Sequence, residues 1–69
     1  MVTLKPLYGF LAYHRISLKE LADKTGISYQ RLMTMRRDNT FTLKSVDKIC
    51  HALNLNIKDV MRYEETEND

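Results

Sequence analysis

The fold is decided by residues 17–28, Ser-Leu-Lys-Glu-Leu-Ala-Asp-Lys-Thr-Gly-Ile-Ser. Ser17 and Glu20 have the spacing of a capping box, in which the serine hydroxyl accepts the amide of the third helical residue and the glutamate reaches back. Gly26 follows the last turn, where a left-handed residue ends a helix. Only one residue separates Gly26 from Ser28, the next N-cap. We therefore predict two short helices that meet at a steep angle.

Apolar residues around this turn explain how the two helices would pack. Ala22 is small enough for the second helix to cross closely over the first. The side chains that fill the angle between the helices are Leu21, Ile27, Leu32 and Met35. This arrangement indicates a helix-turn-helix.

The flanking sequence predicts three more helices. One runs over about 4–14, because Pro6 is tolerated only in a first turn. Another is capped by Thr42, and a short last one begins after Asn56. The sequence gives almost no support for strands, since apolar and polar residues do not alternate and no Asn-Gly or Asp-Gly pair indicates a hairpin turn. We expect an all-α, compact five-helix bundle with a core of Leu11, Ile16, Leu21, Ala22, Ile27, Leu32, Met35, Leu43, Val46, Ile49, Leu53, Leu55, Ile57 and Val60.

Length and charge limit the classes of protein. A chain of 69 residues is one small domain with no room for a large substrate cavity. Residues 1–63 carry a net charge of +6 and residues 64–69 a net charge of −4. We expect a basic domain over 1–63, suited to phosphate binding, followed by a frayed acidic tail over 64–69. With no apolar run long enough to cross a membrane and a lone Cys50, the expected compartment is the cytoplasm.

One face of the third helix carries a chemically mixed set of side chains. On a helical wheel, Gln30 and Arg37 lie opposite the apolar stripe, with Met33 and Thr34 beside them. Amide, guanidinium and methyl groups are those that read base edges in DNA. The predicted base-reading residues are Tyr29, Gln30, Arg31, Met33, Thr34 and Arg37.

Other polar residues suit contacts to phosphates. Helix N-termini point amide groups at anions, and basic side chains near the third helix add positive charge. The predicted phosphate-binding residues are Ser17, Lys19, Ser28, Arg36, Asn39, Thr40, Thr42 and Lys44. The alternative for both sets is a polar face that only contacts solvent.

Catalytic and metal sites have little support. Cys50 and His51 are neighbours on a helix and point about 100° apart, so a thiol–imidazole pair is not expected. His14 and His51 have no ligand partners at metal-binding spacing. We expect no enzyme activity, metal, cofactor, small-molecule ligand or membrane partner.

Residues 7–62 resemble the Cro and phage-repressor type helix-turn-helix family, also called the Xre family, especially its small stand-alone members. The resemblance rests on residues 17–28, on Leu32, and on 43–61, Leu-Lys-Ser-Val-Asp-Lys-Ile-Cys-His-Ala-Leu-Asn-Leu-Asn-Ile-Lys-Asp-Val-Met. It implies a lambda-repressor-like bundle with the third helix in the major groove of DNA. Its base-reading positions fall on Tyr29, Gln30, Met33 and Thr34.

The chain departs from the family pattern at two places. Leu18 stands where most members have a phosphate-binding glutamine, and Arg36 and Asp38 stand where members usually have glutamate and glycine. The first change removes a phosphate contact and the second adds positive charge.

These observations predict a sequence-specific regulator of transcription that binds double-stranded DNA, acts as a repressor and forms a homodimer. Helix 1, with Tyr8, Phe10 and Tyr13, and the C-terminal part, 55–63, are the alternative dimer surfaces. The rival hypothesis is a protein-interaction module that binds another regulator through helix 1.

Overall fold

The structure is a computed structural model that describes residues 1–65. Its elements are β1 (Val2–Thr3), α1 (Lys5–Tyr13), α2 (Leu18–Thr25), α3 (Tyr29–Asp38), α4 (Leu43–Leu53), α5 (Ile57–Val60) and β2 (Arg62–Tyr63). Helix α1 packs on α5, α2 packs on α3 and α4, and α4 packs on α5. The predicted five-helix, all-α fold is confirmed.

The turn that decides the fold has the predicted local bonds. The Ser17 hydroxyl accepts the Glu20 amide at 3.1 Å, and the Glu20 carboxylate accepts the Ser17 amide at 2.9 Å. Gly26 ends α2 with a φ of 80°, in the left-handed region that a Cβ disfavours. Ser28 then caps α3 by accepting the Arg31 amide at 3.1 Å. These bonds fix α3 to α2 within three residues.

A small antiparallel ribbon corrects the expectation that strands are absent. Val2 pairs with Tyr63, and Thr3 pairs with Arg62. Each strand has only two residues, too few to show an alternating pattern, and the partners lie at opposite ends of the chain. The ribbon holds both ends of the described chain beside α1 and α5.

The core lies between the helices and is closed by residues near the N-terminus. Its buried apolar members are Leu4, Leu7, Leu11, Leu21, Ile27, Leu32, Met35, Val46, Ile49 and Val60. Ile16, Ala22, Leu53 and Leu55 are half-buried against this cluster. Leu4 and Leu7 were missing from the predicted core.

Two of the predicted core residues are wrong. Leu43 is 68% exposed and Ile57 is 55% exposed. Each is the first residue after an N-cap, at the outer end of its helix. Helical spacing alone does not reveal that the first turn extends past the neighbouring helices.

The acidic tail is described only in part. Glu64 accepts bonds from Lys5 and Arg62, while 66–69 lie outside the described residues. The boundary at residue 63 stays a prediction. In the described range 1–65, no helix has the length and hydrophobicity to cross a membrane.

Candidate nucleic-acid interface

Helix α3 presents the predicted mixed face to solvent. Leu32 and Met35 are buried, whereas Gln30, Thr34 and Arg37 are exposed on the other side. Met33 is 42% exposed, so an apolar thioether and methyl group lie among polar groups. The face combines donors, acceptors and an apolar contact within one helix, which is what base-edge recognition needs.

The α1–α2 groove lies along one side of α3 and has a volume of about 410 Å³. Its lining is Tyr8, Leu11, Ala12, Ile16, Ser17, Leu18, Lys19, Tyr29 and Arg36. The groove therefore brings together three predicted phosphate-binding residues (Ser17, Lys19 and Arg36) with one predicted base-reading residue, Tyr29. Its two cationic side chains come from different helices.

The α3–α4 groove lies along the other side of α3 and has a volume of about 320 Å³. Its lining is Gly26, Ile27, Ser28, Arg31, Thr42, Lys44, Ser45 and Lys48. Three cationic side chains converge here, near the first turns of α3 and α4. Lys48 is not among the predicted phosphate-binding residues, although its spacing of four residues from Lys44 places both on one helix face.

Several predicted phosphate-binding groups already have protein partners. The Asn39 side chain donates to the Val2 carbonyl at 3.0 Å, and the Thr42 hydroxyl donates to Ser45 Oγ at 3.2 Å. Thr40 lies in a separate cleft with Arg31, Thr34, Met35, Phe41 and Thr42. A phosphate contact donated by the Thr42 hydroxyl thus requires exchange of an existing bond, whereas the Asn39 amide has a second N–H beyond the one that it donates to Val2.

Arg37 is held by its neighbour in the sequence. Its Nε lies 3.0 Å from Asp38 Oδ1 and its Nη2 lies 3.2 Å from Asp38 Oδ2. These hydrogen bonds lower the pKa of Asp38 and raise the pKa of Arg37. Both side chains are exposed, so the pair is weak in water and can be exchanged for a DNA contact.

Arg36 is held by an aromatic ring. Its guanidinium carbon lies 5.6 Å from the centroid of Tyr8, within the range of a cation–π interaction. Burial raises the pKa of Tyr8, and the positive charge of Arg36 opposes that shift. The phenol therefore stays neutral under the arginine.

The environment of Cys50 does not activate its thiol. Cys50 is half-buried, and burial together with Asp47 and Asp59 raises the pKa of its thiol. A nucleophilic thiol needs the opposite shift. Within residues 1–65, no group of three His, Cys, Asp or Glu side chains is placed to hold a metal ion.

Helix α1 leaves one aromatic ring outside the fold. Tyr8 packs against the core and Phe10 lies half-buried, with its ring 4.2 Å from that of His14. Tyr13 is 83% exposed. Of the α1 aromatics, only Tyr13 is free to offer a large contact area.

A family model described as a Cro/C1-type helix-turn-helix DNA-binding domain matches residues 7–66. The match covers most of the chain, and the protein belongs to this family. No curated protein and no solved structure gave a match. The class is therefore a helix-turn-helix DNA-binding domain, and the resemblance proposed from the sequence is confirmed.

Two of the three residues predicted to depart from the family pattern lie close together. Leu18 and Arg36 both line the α1–α2 groove. Leu18 makes this groove more apolar, and Arg36 supplies a cation that glutamate would not. Asp38 does not line this groove and is bonded to Arg37 instead.

Proposed function

We propose that the protein is a sequence-specific transcriptional regulator that inserts α3 into the major groove of DNA. The observation that carries this proposal is the position of α3 between two cationic grooves. The major groove is about 12 Å wide and is bounded by two phosphate backbones. A helix that reads bases therefore needs positive charge on both of its sides.

The two grooves supply that charge from separate elements. The α1–α2 groove offers Lys19 and Arg36, and the α3–α4 groove offers Arg31, Lys44 and Lys48. Between them, the exposed face of α3 carries Gln30, Met33, Thr34 and Arg37, while Tyr29 and Arg31 line the grooves. Phosphate contacts on both flanks would fix the register in which this face meets the bases.

We propose repression as the biological role, with no enzymatic step. A domain that occupies its operator excludes polymerase or a competing factor without a ligand or cofactor. The free thiol of Cys50 favours action in the cytoplasm, where thiols stay reduced.

We also propose a homodimer, because one recognition helix covers too few base pairs for tight operator binding. The two candidate surfaces are the C-terminal part, 55–63, where the exposed Ile57 lies beside Leu43 of α4, and the exposed Tyr13 of α1. Sedimentation of Ile57→Lys and Tyr13→Ser with and without DNA would distinguish them. The variant that loses the dimer identifies the surface, and a monomeric wild-type protein on DNA would contradict the proposal.

The function is tested by the affinity for a labelled duplex at several salt concentrations. We expect Lys44→Ala and Lys48→Ala each to weaken binding about fivefold, since one cation next to a phosphate contributes about 1 kcal/mol in water. Each variant should also lower the slope of log affinity against log salt by about 0.9, because one fewer counterion is released.

Lys58→Ala is the matched control, since Lys58 lies on α5 and lines neither cationic groove. It should leave the slope unchanged. If the wild-type protein has no salt-dependent affinity for duplex DNA, the rival hypothesis of a protein-interaction module is favoured.

A further inference from the structure

We propose that Tyr8 is a positioning residue for DNA binding, whose ring holds the Arg36 guanidinium at the mouth of the α1–α2 groove for a backbone phosphate. This inference rests on the proposed DNA-binding function and adds a residue of α1 to it. Neither the helix-turn-helix pattern nor the set of polar residues predicted to bind phosphate includes Tyr8.

The ring of Tyr8 holds the Arg36 side chain by a cation–π contact. A cation–π contact depends on the charge of the guanidinium and uses none of its five N–H donors. The ring of Tyr8 therefore restrains Arg36 while the donors of Arg36 remain available to a phosphate. Arg37 and Arg62 differ, because Asp38 and Glu64 accept hydrogen bonds from their donors.

The second step is the absence of a competing anion. In the described part of the chain, no carboxylate forms a salt bridge with Arg36. Glu64 lies with Arg36 and Tyr8 on a neighbouring cavity, but its Oε1 is bonded to Lys5 at 3.0 Å and its Oε2 to Arg62 at 2.8 Å. The acid nearest in sequence, Asp38, is bonded to Arg37. An incoming phosphate therefore finds Arg36 without a partner to displace.

The third step is the direction in which Arg36 acts. It lines the same groove as Lys19, on the side of α3 that faces α1 and α2. Tyr8 is half-buried and packs against the core, so the ring is a fixed platform and not a mobile side chain. Ordering a long side chain before binding removes part of the entropy lost when the complex forms.

The test compares duplex affinity for Tyr8→Leu, Tyr8→Phe and Arg36→Ala in a salt series, with circular dichroism and thermal unfolding as the check on folding. We expect Tyr8→Leu to weaken binding about two- to fivefold, the size of an exposed cation–π contact. Tyr8→Phe should retain the wild-type affinity because it keeps the ring. Arg36→Ala should lower the salt slope by about 0.9.

A double-mutant cycle separates positioning from general stability. In the Arg36→Ala background, Tyr8→Leu should have no further effect, whereas in the Arg37→Ala control background it should keep its full two- to fivefold effect. If the Tyr8 and Arg36 effects multiply as independent factors, the positioning role is wrong while DNA binding stands. If the wild-type protein binds no duplex DNA, the proposed function and this inference both fall.

A measurement on the wild-type protein does not depend on a folded leucine variant. The ring current of Tyr8 should shift the Arg36 side-chain resonances in the NMR spectrum of the free protein. We expect that shift to persist in the DNA complex. Its loss on DNA binding would show that Arg36 leaves the ring and would overturn the proposal.

Discussion

Arg36 and Arg37 are neighbours in sequence, yet different chemistry holds each side chain. Arg36 lies over the ring of Tyr8, and Arg37 is bonded to Asp38. A helix places consecutive residues about 100° apart, so one faces the α1–α2 groove and the other the solvent-exposed face of α3. The spacing predicted the position of Arg37 opposite the apolar stripe. It did not predict the partners of the two arginines, because Tyr8 comes from α1 and side-chain pairing depends on the packed structure.

The carboxylate of Asp38 should weaken DNA binding. Replacing Asp38 with Asn should raise duplex affinity about fivefold, because it frees Arg37 and removes one negative charge close to the DNA. Binding titrations at fixed salt measure the effect. The control is Asp47→Asn, which removes the same charge from α4 at a position that lines neither cationic groove. A fall in affinity for Asp38→Asn would show instead that Asp38 orients Arg37 for recognition.

Helices α2, α3 and α4 begin where the sequence predicts them, because side-chain caps are local. Ser17, Ser28 and Thr42 all accept the amide of a residue three positions later. The predicted burial of Leu43 and Ile57 was wrong, since burial depends on where neighbouring helices stop. The ribbon of β1 and β2 was also missed, because its pairing joins residues that are far apart in the sequence. Each strand becomes stable only when the other end of the chain lies next to it.

Replacing each of the two glycines with alanine should change the stability of the protein in opposite directions. Gly26→Ala should destabilise the protein by about 1 to 2 kcal/mol, because an L-residue is strained at a φ of 80°. Gly9→Ala should stabilise it by about 0.5 to 1 kcal/mol, because Gly9 lies within α1 and a Cβ there meets nothing within 4 Å. Thermal unfolding should show shifts of about 4–8 °C per kcal/mol. Equal shifts for the two variants would contradict this account of the turn.

The β1–β2 ribbon joins α3 to both ends of the described chain. Asn39, the residue that ends α3, donates to the Val2 carbonyl of β1. Glu64 follows β2 and is bonded to Lys5 of α1. Composition predicted a basic domain and an acidic tail, but the contact between Glu64 and α1 required the folded chain.

Glu64 gives a pH-dependent prediction. Hydrogen bonds from Arg62 and Lys5 lower its pKa below the ordinary value of 4.5. A carboxyl with a lowered folded pKa stabilises the fold above its unfolded value, and this contribution is lost as the pH falls through the folded value. Glu64→Gln should therefore be less stable than wild type at pH 7, and this difference should be lost at an acid pH below the folded pKa of Glu64. Urea unfolding at both pH values measures it, and the difference at pH 7 should shrink in the Arg62→Ala background. A difference that persists in acid would contradict an electrostatic origin.

Sequence reading by α3 is tested by selection from a pool of random duplexes near physiological salt, with Gln30→Ala/Arg37→Ala as the matched variant. We predict enrichment of a palindrome with half-sites about one helical turn apart, and loss of that enrichment in the variant. The same sequences enriched by both proteins, or none enriched by the folded wild-type protein, would contradict sequence reading by α3.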